Sequence, residues 1–442
     1  MHYPLYLLWA VVGVGLTAQA ATLAAEERLP AGFPVRKGPL TLARASELAQ
    51  PDMPEGELQW LSRFELIVTN GYEFAAPQVS RALGDAGCQV FRYLWANGFT
   101  TVELAADMPD GDWRRVLLEQ HPEWLLSREA LPGPPGTPAS YYFDFTQRGL
   151  IDFLARQVAA TRRKGLYGGT LFDYAGAYPL PAEVVDLWHS RHPDTSYDQA
   201  LAEFFTRLRA IDPGGIIFTN QACLGDVALL PTADYDLVES YGTSYLWGPT
   251  VTIGGRDHRL SFLRPWTGPG SLQQMYEPLI QTLRSRAPRK RLLCLDYMRP
   301  ALTQQAGEVG EVPDMEAVYY SYCAAALWGL DSFCSGWYGL PYRGPLYFAD
   351  LGAPLGDAPL EVAGLAIREY ERGLVALMTS PHKAEAALKL TGAECSELYD
   401  LFSGRRIPCQ DRRLTLTLDP LQRPAGGPGP RARLYLKLHT RP

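Results

Sequence analysis

Asp173 and Glu239 are the residues of this chain whose type and placement best suit chemistry. Each closes a short apolar run: GTLFDYAGAY stops being hydrophobic at Asp173, and YDLVESYG stops at Glu239. A parallel strand buried on both faces reads as such a run, and the first polar residue at its carboxyl end projects into the mouth of the fold. Four further runs close in the same way, RFELIVTN at Asn70, CQVFRYLW at Trp95, GGIIFTN at Asn220 and RLLCLDY at Asp296. Two carboxylates facing one cleft are the minimum kit for glycoside hydrolysis. One must be protonated to release the leaving oxygen, and the other must be ionised to attack the anomeric carbon or to activate water. Burial and the neighbouring anion are expected to raise one pKa, that of Glu239, making it the acid while Asp173 stays ionised; the exchanged roles are the alternative.

Asn, Asp, Tyr and Trp are side chains that grip sugars, through hydrogen bonds to hydroxyls and through flat rings laid on C–H faces. The expected substrate-binding set is Asn70, Tyr72, Tyr93, Trp95, Asp144, Tyr174, Asn220, Tyr241, Trp247, Asp296, Tyr297 and Trp337. Further rings at Tyr178, Tyr245, Trp266 and Tyr338 fall in loops above the strands, and the long loop 242–270, with two Trp, is expected to wall the cleft. Each residue also has a plain structural reading. Asp173 could cap the next element, Glu239 could pair with a buried Arg, Asp144 could cap the following helix, Asp296 could pair with Arg299, and any single ring could be ordinary packing.

The elements that must position these side chains alternate. Strands are expected at 63–70, 88–95, 141–145, 169–174, 215–220, 235–241, 291–297 and 331–335, with helices at 75–86, 112–127, 147–164 and 197–211 among them. Eight strands with intervening helices over roughly 300 residues match a (β/α)8 TIM barrel better than an open doubly wound sheet. The barrel is expected over 58–380, after a leader at 21–57, with residues 360–377 as its closing helix. Beyond Pro381 the runs AALKLTG, CSELYDLFSG, LTLTLD and ARLYLKL alternate with turns and predict a small antiparallel β domain over 381–442.

Composition limits the remaining choices. With 442 residues, a formal charge of -7 and a pI near 5.6, the chain lacks the concentrated basic face of a nucleic-acid binder; the basic cluster RSRAPRKR reads as a solvated helix end. No glycine-rich phosphate loop follows a strand, and His189 and His192 have no third ligand at metal spacing, so neither cofactor nor metal is expected. The absence of His-rich strand ends and of a G-x-S-x-G elbow argues against amidohydrolase and serine-nucleophile chemistry. Residues 1–20 read as a secretory signal with small residues at Ala18 and Ala20 before the cut, although the n-region carries no Lys or Arg; an uncleaved anchor is the alternative. An exported, periplasmic or extracellular monomer with no span in its mature part is therefore expected. Of the 7 cysteines, Cys395 and Cys409 bracket a hairpin-like segment and could pair in an oxidising compartment.

The string YGGTLFDYAGAY, the run YDLVESYG and the leader together resemble the glycosidase-like barrels around glycoside hydrolase family 114, the endo-α-1,4-polygalactosaminidase group, and related bacterial exopolysaccharide hydrolase domains. The resemblance implies a TIM barrel in which a strand-four Asp and a strand-six Glu do the work, here Asp173 and Glu239, on a polysaccharide that could contain amino sugars. FDYAGAY lacks the second acid or Thr/Asn usual after the Asp, and the C-terminal β domain has no counterpart in the pattern. A catalytically silent barrel that binds polysaccharide is the rival, and it predicts that the two acids diverge or are consumed by Arg92, Arg299 or Arg343.

Overall fold

The computed structural model describes residues 28–71, 73–105, 113–134, 136–176, 180–220, 232–244, 248–253, 256–305, 308–336, 341–392, 395–422 and 428–438. Eight parallel strands hydrogen-bond in chain order: β1 (Gly38–Arg44), β2 (Phe64–Asn70), β3 (Gln89–Trp95), β4 (Gly169–Asp173), β5 (Ile216–Asn220), β6 (Tyr235–Glu239), β7 (Arg291–Tyr297) and β8 (Asp331–Ser335). β1 and β8 lie side by side, so the sheet is a nearly closed barrel. Around it run α1 (Pro77–Asp85), α2 (Arg148–Arg162), α3 (Tyr197–Ile211), α4 (Leu272–Arg286) and α5 (Met315–Leu327). No helix among the described residues is long and apolar enough to cross a membrane.

Strand periodicity decides which side chains meet inside. Leu66, Val68, Phe91, Leu171, Phe218, Leu237, Leu293 and Leu295 fill one buried cluster in the barrel. Each such side chain contributes about 1.5–3 kcal/mol by leaving water. The alternate positions face outward, where Leu94, Phe172 and Ile217 pack with Leu154, Phe204 and Phe205 of α2 and α3. Because successive strand residues point to opposite faces, Tyr93, Trp95, Asp173, Asn220, Glu239 and Tyr297 share the inward parity and stand above that filling at the carboxyl ends. The amino ends are closed by charge. Arg291, which opens β7, donates to Glu65 of β2 (2.6 Å) and to Asp331, the first residue of β8 (2.7 Å); Arg36, just ahead of β1, reaches the same Asp331 (3.1 Å).

The C-terminal part is antiparallel. β9 (Leu360–Val362), β10 (Leu365–Glu369), β11 (Gly373–Met378), β13 (Glu397–Asp400), β14 (Arg406–Pro408) and β16 (Ala432–Leu438) form a six-stranded sheet in the order β9-β10-β11-β16-β13-β14. β12 (Ala384–Lys389) pairs with β15 (Arg413–Leu418) in a second sheet. Leu388, Leu414 and Leu416 alternate inward between the two sheets. The larger sheet covers α5, whose residues from Ala317 to Leu327 are all buried, and this explains why that helix is apolar on every side. Glu316 at its start takes both nitrogens of Arg433 at 2.8 Å, and Arg433 also lies over Phe402.

Three expectations about elements need correction. The first barrel strand, Gly38–Arg44, lies inside the stretch expected to be a leader; Pro39 reads as a breaker, yet a proline is tolerated near the start of a strand. The strand expected at 141–145 is not in the barrel, since Ser140–Tyr142 pairs antiparallel with Gly98–Thr100 and Tyr141 stacks on Phe99. Residues 360–377 are not a closing helix but three strands of the β domain, so the antiparallel part begins near Leu360 rather than at 381. Ala363 and Gly364 both have positive φ (47° and 81°), which makes the tight hairpin turn between β9 and β10 that a helix cannot contain. The losses and the gain cancel, leaving eight strands with Asp173 ending the fourth and Glu239 ending the sixth. Residues 1–20, with the expected signal, lie outside the described residues.

Candidate active site

Five successive strands, β3 to β7, bring one polar cluster together. β4 can approach β5 closely because Gly169 has no side chain; a Cβ there would stand 2.2 Å from the carbonyl oxygen of Ile216. Asp173, at the other end of β4, accepts three hydrogen bonds. They come from the Tyr93 hydroxyl to Oδ2 (2.7 Å), from Asn220 Nδ2 to Oδ1 (2.7 Å) and from the Tyr174 backbone N–H to Oδ1 (2.8 Å). Trp95 extends the array by donating its indole N–H to the Tyr93 oxygen (2.8 Å), and its ring lies edge-on to Tyr174. The same Asn220 nitrogen donates to Glu239 Oε2 (2.9 Å), and Tyr297 hydrogen-bonds Glu239 from the other side. One amide thus joins the two acids across the barrel mouth.

Held by one nitrogen at 2.7 and 2.9 Å, the nearest oxygens of the two acids are at most about 5.6 Å apart. That bound is nearer to the about 5 to 5.5 Å between carboxyl groups of which one attacks the sugar directly than to the about 6.5 to 9.5 Å that admits a water between. The electrostatics separate the pair. Burial, and then the charge of Asp173, push Glu239 from an ordinary value of 4.5 up to about 7. Burial also raises Asp173, but Tyr93, Asn220 and the Tyr174 N–H oppose it by stabilising the anion. These partners favour the charge on Asp173 and the proton on Glu239.

Backbone strain marks both positions. The residue after each acid, Tyr174 (φ 52°) and Ser240 (φ 57°), is left-handed without being glycine. Behind Ser240 the turn is gripped from both sides. Buried Arg264 donates to the carbonyls of Ser240 (3.1 Å), Tyr241 (2.8 Å) and Gly270 (3.0 Å), while buried Asp296 accepts from the N–H groups of Gly242 (2.9 Å) and Thr243 (3.0 Å) and from Ser321 Oγ (2.5 Å). Burial pushes Asp296 up to about 6, against those donors and Arg264.

No family model matches the chain, and no curated protein does. Among solved structures, an Anoxybacillus α-amylase aligns with a TM-score of 0.50 at 9% identity, covering 92% of this chain and 99% of that chain. A GH30 endoxylanase from Clostridium papyrosolvens has a TM-score of 0.49 at 11% identity, over 92% of this chain and 97% of that one. The glycoside hydrolase domain of PelA from Pseudomonas aeruginosa has a TM-score of 0.43 at 18% identity, over 69% of this chain and 98% of that domain. The likeness is one of fold. At these identities the amylase alignment supports the barrel with its C-terminal appendage and carries no residue roles.

The expected residues separate accordingly. Tyr93, Trp95, Asp173, Tyr174, Asn220, Glu239 and Tyr297 come together. Asn70 ends β2 at an exposed rim position. Asp144 stands apart in the turn before α2, where it accepts from Thr146 N (3.1 Å) and Oγ1 (2.6 Å) and meets His192 (3.2 Å), as a cap would. Tyr241 is a core residue, fully buried against Tyr276 with its hydroxyl towards the Ala324 carbonyl, and Asp296 serves the turn described above. Trp266 is also core and donates to Glu361 of the β domain (2.7 Å). Within loop 242–270, Thr243–Ser244 pairs with Phe262–Leu263, and Thr250–Ile253 with Arg256–Arg259. Tyr72, Tyr178, Tyr245, Trp247, Trp337 and Tyr338 lie outside the described residues. Of the arginines that could have consumed the acids, Arg92 donates to Thr161 and Arg343 pairs with Glu57. Sequence reasoning passed over Arg264, whose one signal is a lone arginine in the apolar string SFLRPW.

Proposed function

We propose that this chain is a glycoside hydrolase that works with retention of configuration, Asp173 attacking the anomeric carbon and Glu239 protonating the leaving oxygen. The observation that supports the reading is the single Asn220 amide bonded to both carboxylates, which gathers them at one donor in the barrel mouth, while burial and the charge of Asp173 raise Glu239. In the first step the Asp173 oxygen forms a bond to the anomeric carbon as the glycosidic C–O bond breaks, and the Glu239 proton passes to the departing oxygen. In the second, Glu239, now a carboxylate, takes a proton from water as the water oxygen displaces Asp173. The Tyr93–Trp95 array keeps Asp173 an anion, and the rings of Trp95, Tyr174 and Tyr297 supply flat surface for a pyranose.

The finer reading is a polysaccharide containing amino sugars, as the family 114 resemblance implies, met by an exported enzyme whose residues 1–20 direct it to the periplasm or beyond. The test is reducing-end release from a panel of amino-sugar and neutral polysaccharides. Asp173→Asn and Glu239→Gln should each lower kcat by about 10²–10⁴-fold or more. An activated aryl glycoside, whose leaving group needs no proton, should restore the first step in Glu239→Gln but not in Asp173→Asn. Undiminished turnover in both variants would remove the pair from the mechanism, and binding without turnover by any form would favour a silent carbohydrate-binding barrel.

A further inference from the structure

We propose that Cys395 and Cys409 form a disulfide in the oxidised protein, fastening together the two points at which the chain crosses between the sheets of the β domain. The proposal is independent of the hydrolase reading. The chain leaves β12 in the two-stranded sheet and enters β13 of the six-stranded sheet through Cys395; it leaves β14 and returns to β15 through Cys409. β13 and β14 pair with Glu397 opposite Pro408, so one step further out Ser396 faces Cys409, whose N–H donates to the Ser396 carbonyl (2.9 Å). Just beyond this pairing the Cys395 thiol lies in hydrogen-bonding contact with that of Cys409, and both are free thiols in this structure. Both are buried, at 6% and 8% exposure, among Leu388, Leu390 and Leu414.

An apolar pocket gives a thiol pair little as hydrogen-bonding partners and favours a compact covalent link. The link would close a short loop, so it acts by restricting the unfolded chain. Burial, and then the neighbouring Cys409, push the Cys395 thiol up to about 12, so the folded, reduced domain presents no thiolate there. Both sulfurs are buried once the sheets close, out of reach of an oxidant, so bond formation belongs to folding. One thiolate attacks the disulfide of an oxidant, such as glutathione disulfide or a dithiol oxidoreductase, releasing one of its sulfurs as a thiol. The second cysteine, losing its proton, then displaces the other sulfur, so two protons and two electrons leave the pair as the carrier is reduced.

The full chain, unfolded in reductant, is refolded in a buffer of oxidised and reduced glutathione, then alkylated with iodoacetamide under denaturing conditions and digested. Mass spectrometry should find Cys395 and Cys409 unlabelled and joined, and reduction should lower the Tm by about 5 °C or more. Cys395→Ser should show a Tm indifferent to reductant and a labelled Cys409. Label on both cysteines of the refolded wild type, or either joined to a different cysteine, would overturn the proposal. The peptide result stands whether or not the variant folds.

Discussion

At the scale of residues, the site depends on two acids of unequal proton affinity. With Glu239 raised to about 7 and Asp173 ionised, kcat/KM should fall about tenfold per unit above pH 7 as Glu239 loses its proton, and fall in acid as Asp173 gains one. Between pH about 4.5 and 7 the folded chain holds a proton that the unfolded chain has released, so stability drops as pH rises through that window and stays reduced above it. Glu239→Gln should therefore melt a few degrees above wild type at pH about 8 and level with it at pH about 4, as followed by thermal denaturation. An unchanged difference at the two pH values would contradict the assignment. The strand ends that carry the two acids were legible in the sequence because buried strands must stop at the barrel mouth. Asp144 misled because YYFDF has the same texture, although its rings pack against Phe99 and α2 outside the barrel.

At the scale of elements, the turn after β6 sets where Glu239 points. Arg264 and Asp296 hold successive peptide groups of that turn by opposite charges, one on carbonyls and one on N–H groups. Arg264→Met should leave up to three carbonyls without their donor and destabilise the fold by about 3 kcal/mol or more, read from denaturant midpoints. Arg264→Lys, which keeps the charge but not the fork, should fold better than Arg264→Met while lowering kcat more than it raises KM. Equal kcat in the lysine variant and the wild type would leave the clamp without influence on the acid. None of this could be read along the chain, since the residues concerned are brought together by tertiary packing. The first strand hid for a different reason, its proline, and the run at 360–377 passed for a helix because apolar residues on both faces carry no clear period.

At the scale of the whole molecule, the β domain and the barrel share α5, where Glu316 pairs with both Arg433 and Arg431 of the β domain. Glu316→Ala takes the carboxylate from the largely buried Arg433 and from Arg431 and should destabilise by about 3–5 kcal/mol, whereas Glu316→Met with Arg433→Met should recover the part of the loss that belongs to Arg433 in an equilibrium denaturation series. Additive losses in the double variant would show that the two side chains do not act as a pair. The ionic seal at the foot of the barrel has a kinetic meaning as well. Arg36 and Asp331 are 295 positions apart, and Arg291 and Glu65 are 226 apart. Ring closure must therefore await nearly the whole polypeptide, while the earlier strands wait as an open ribbon with a bare hydrogen-bonding edge. A ribosome needs tens of seconds to make that length at about 5–20 residues per second, and this is the interval in which a nascent copy is most liable to pair with its neighbour instead of with its own eighth strand.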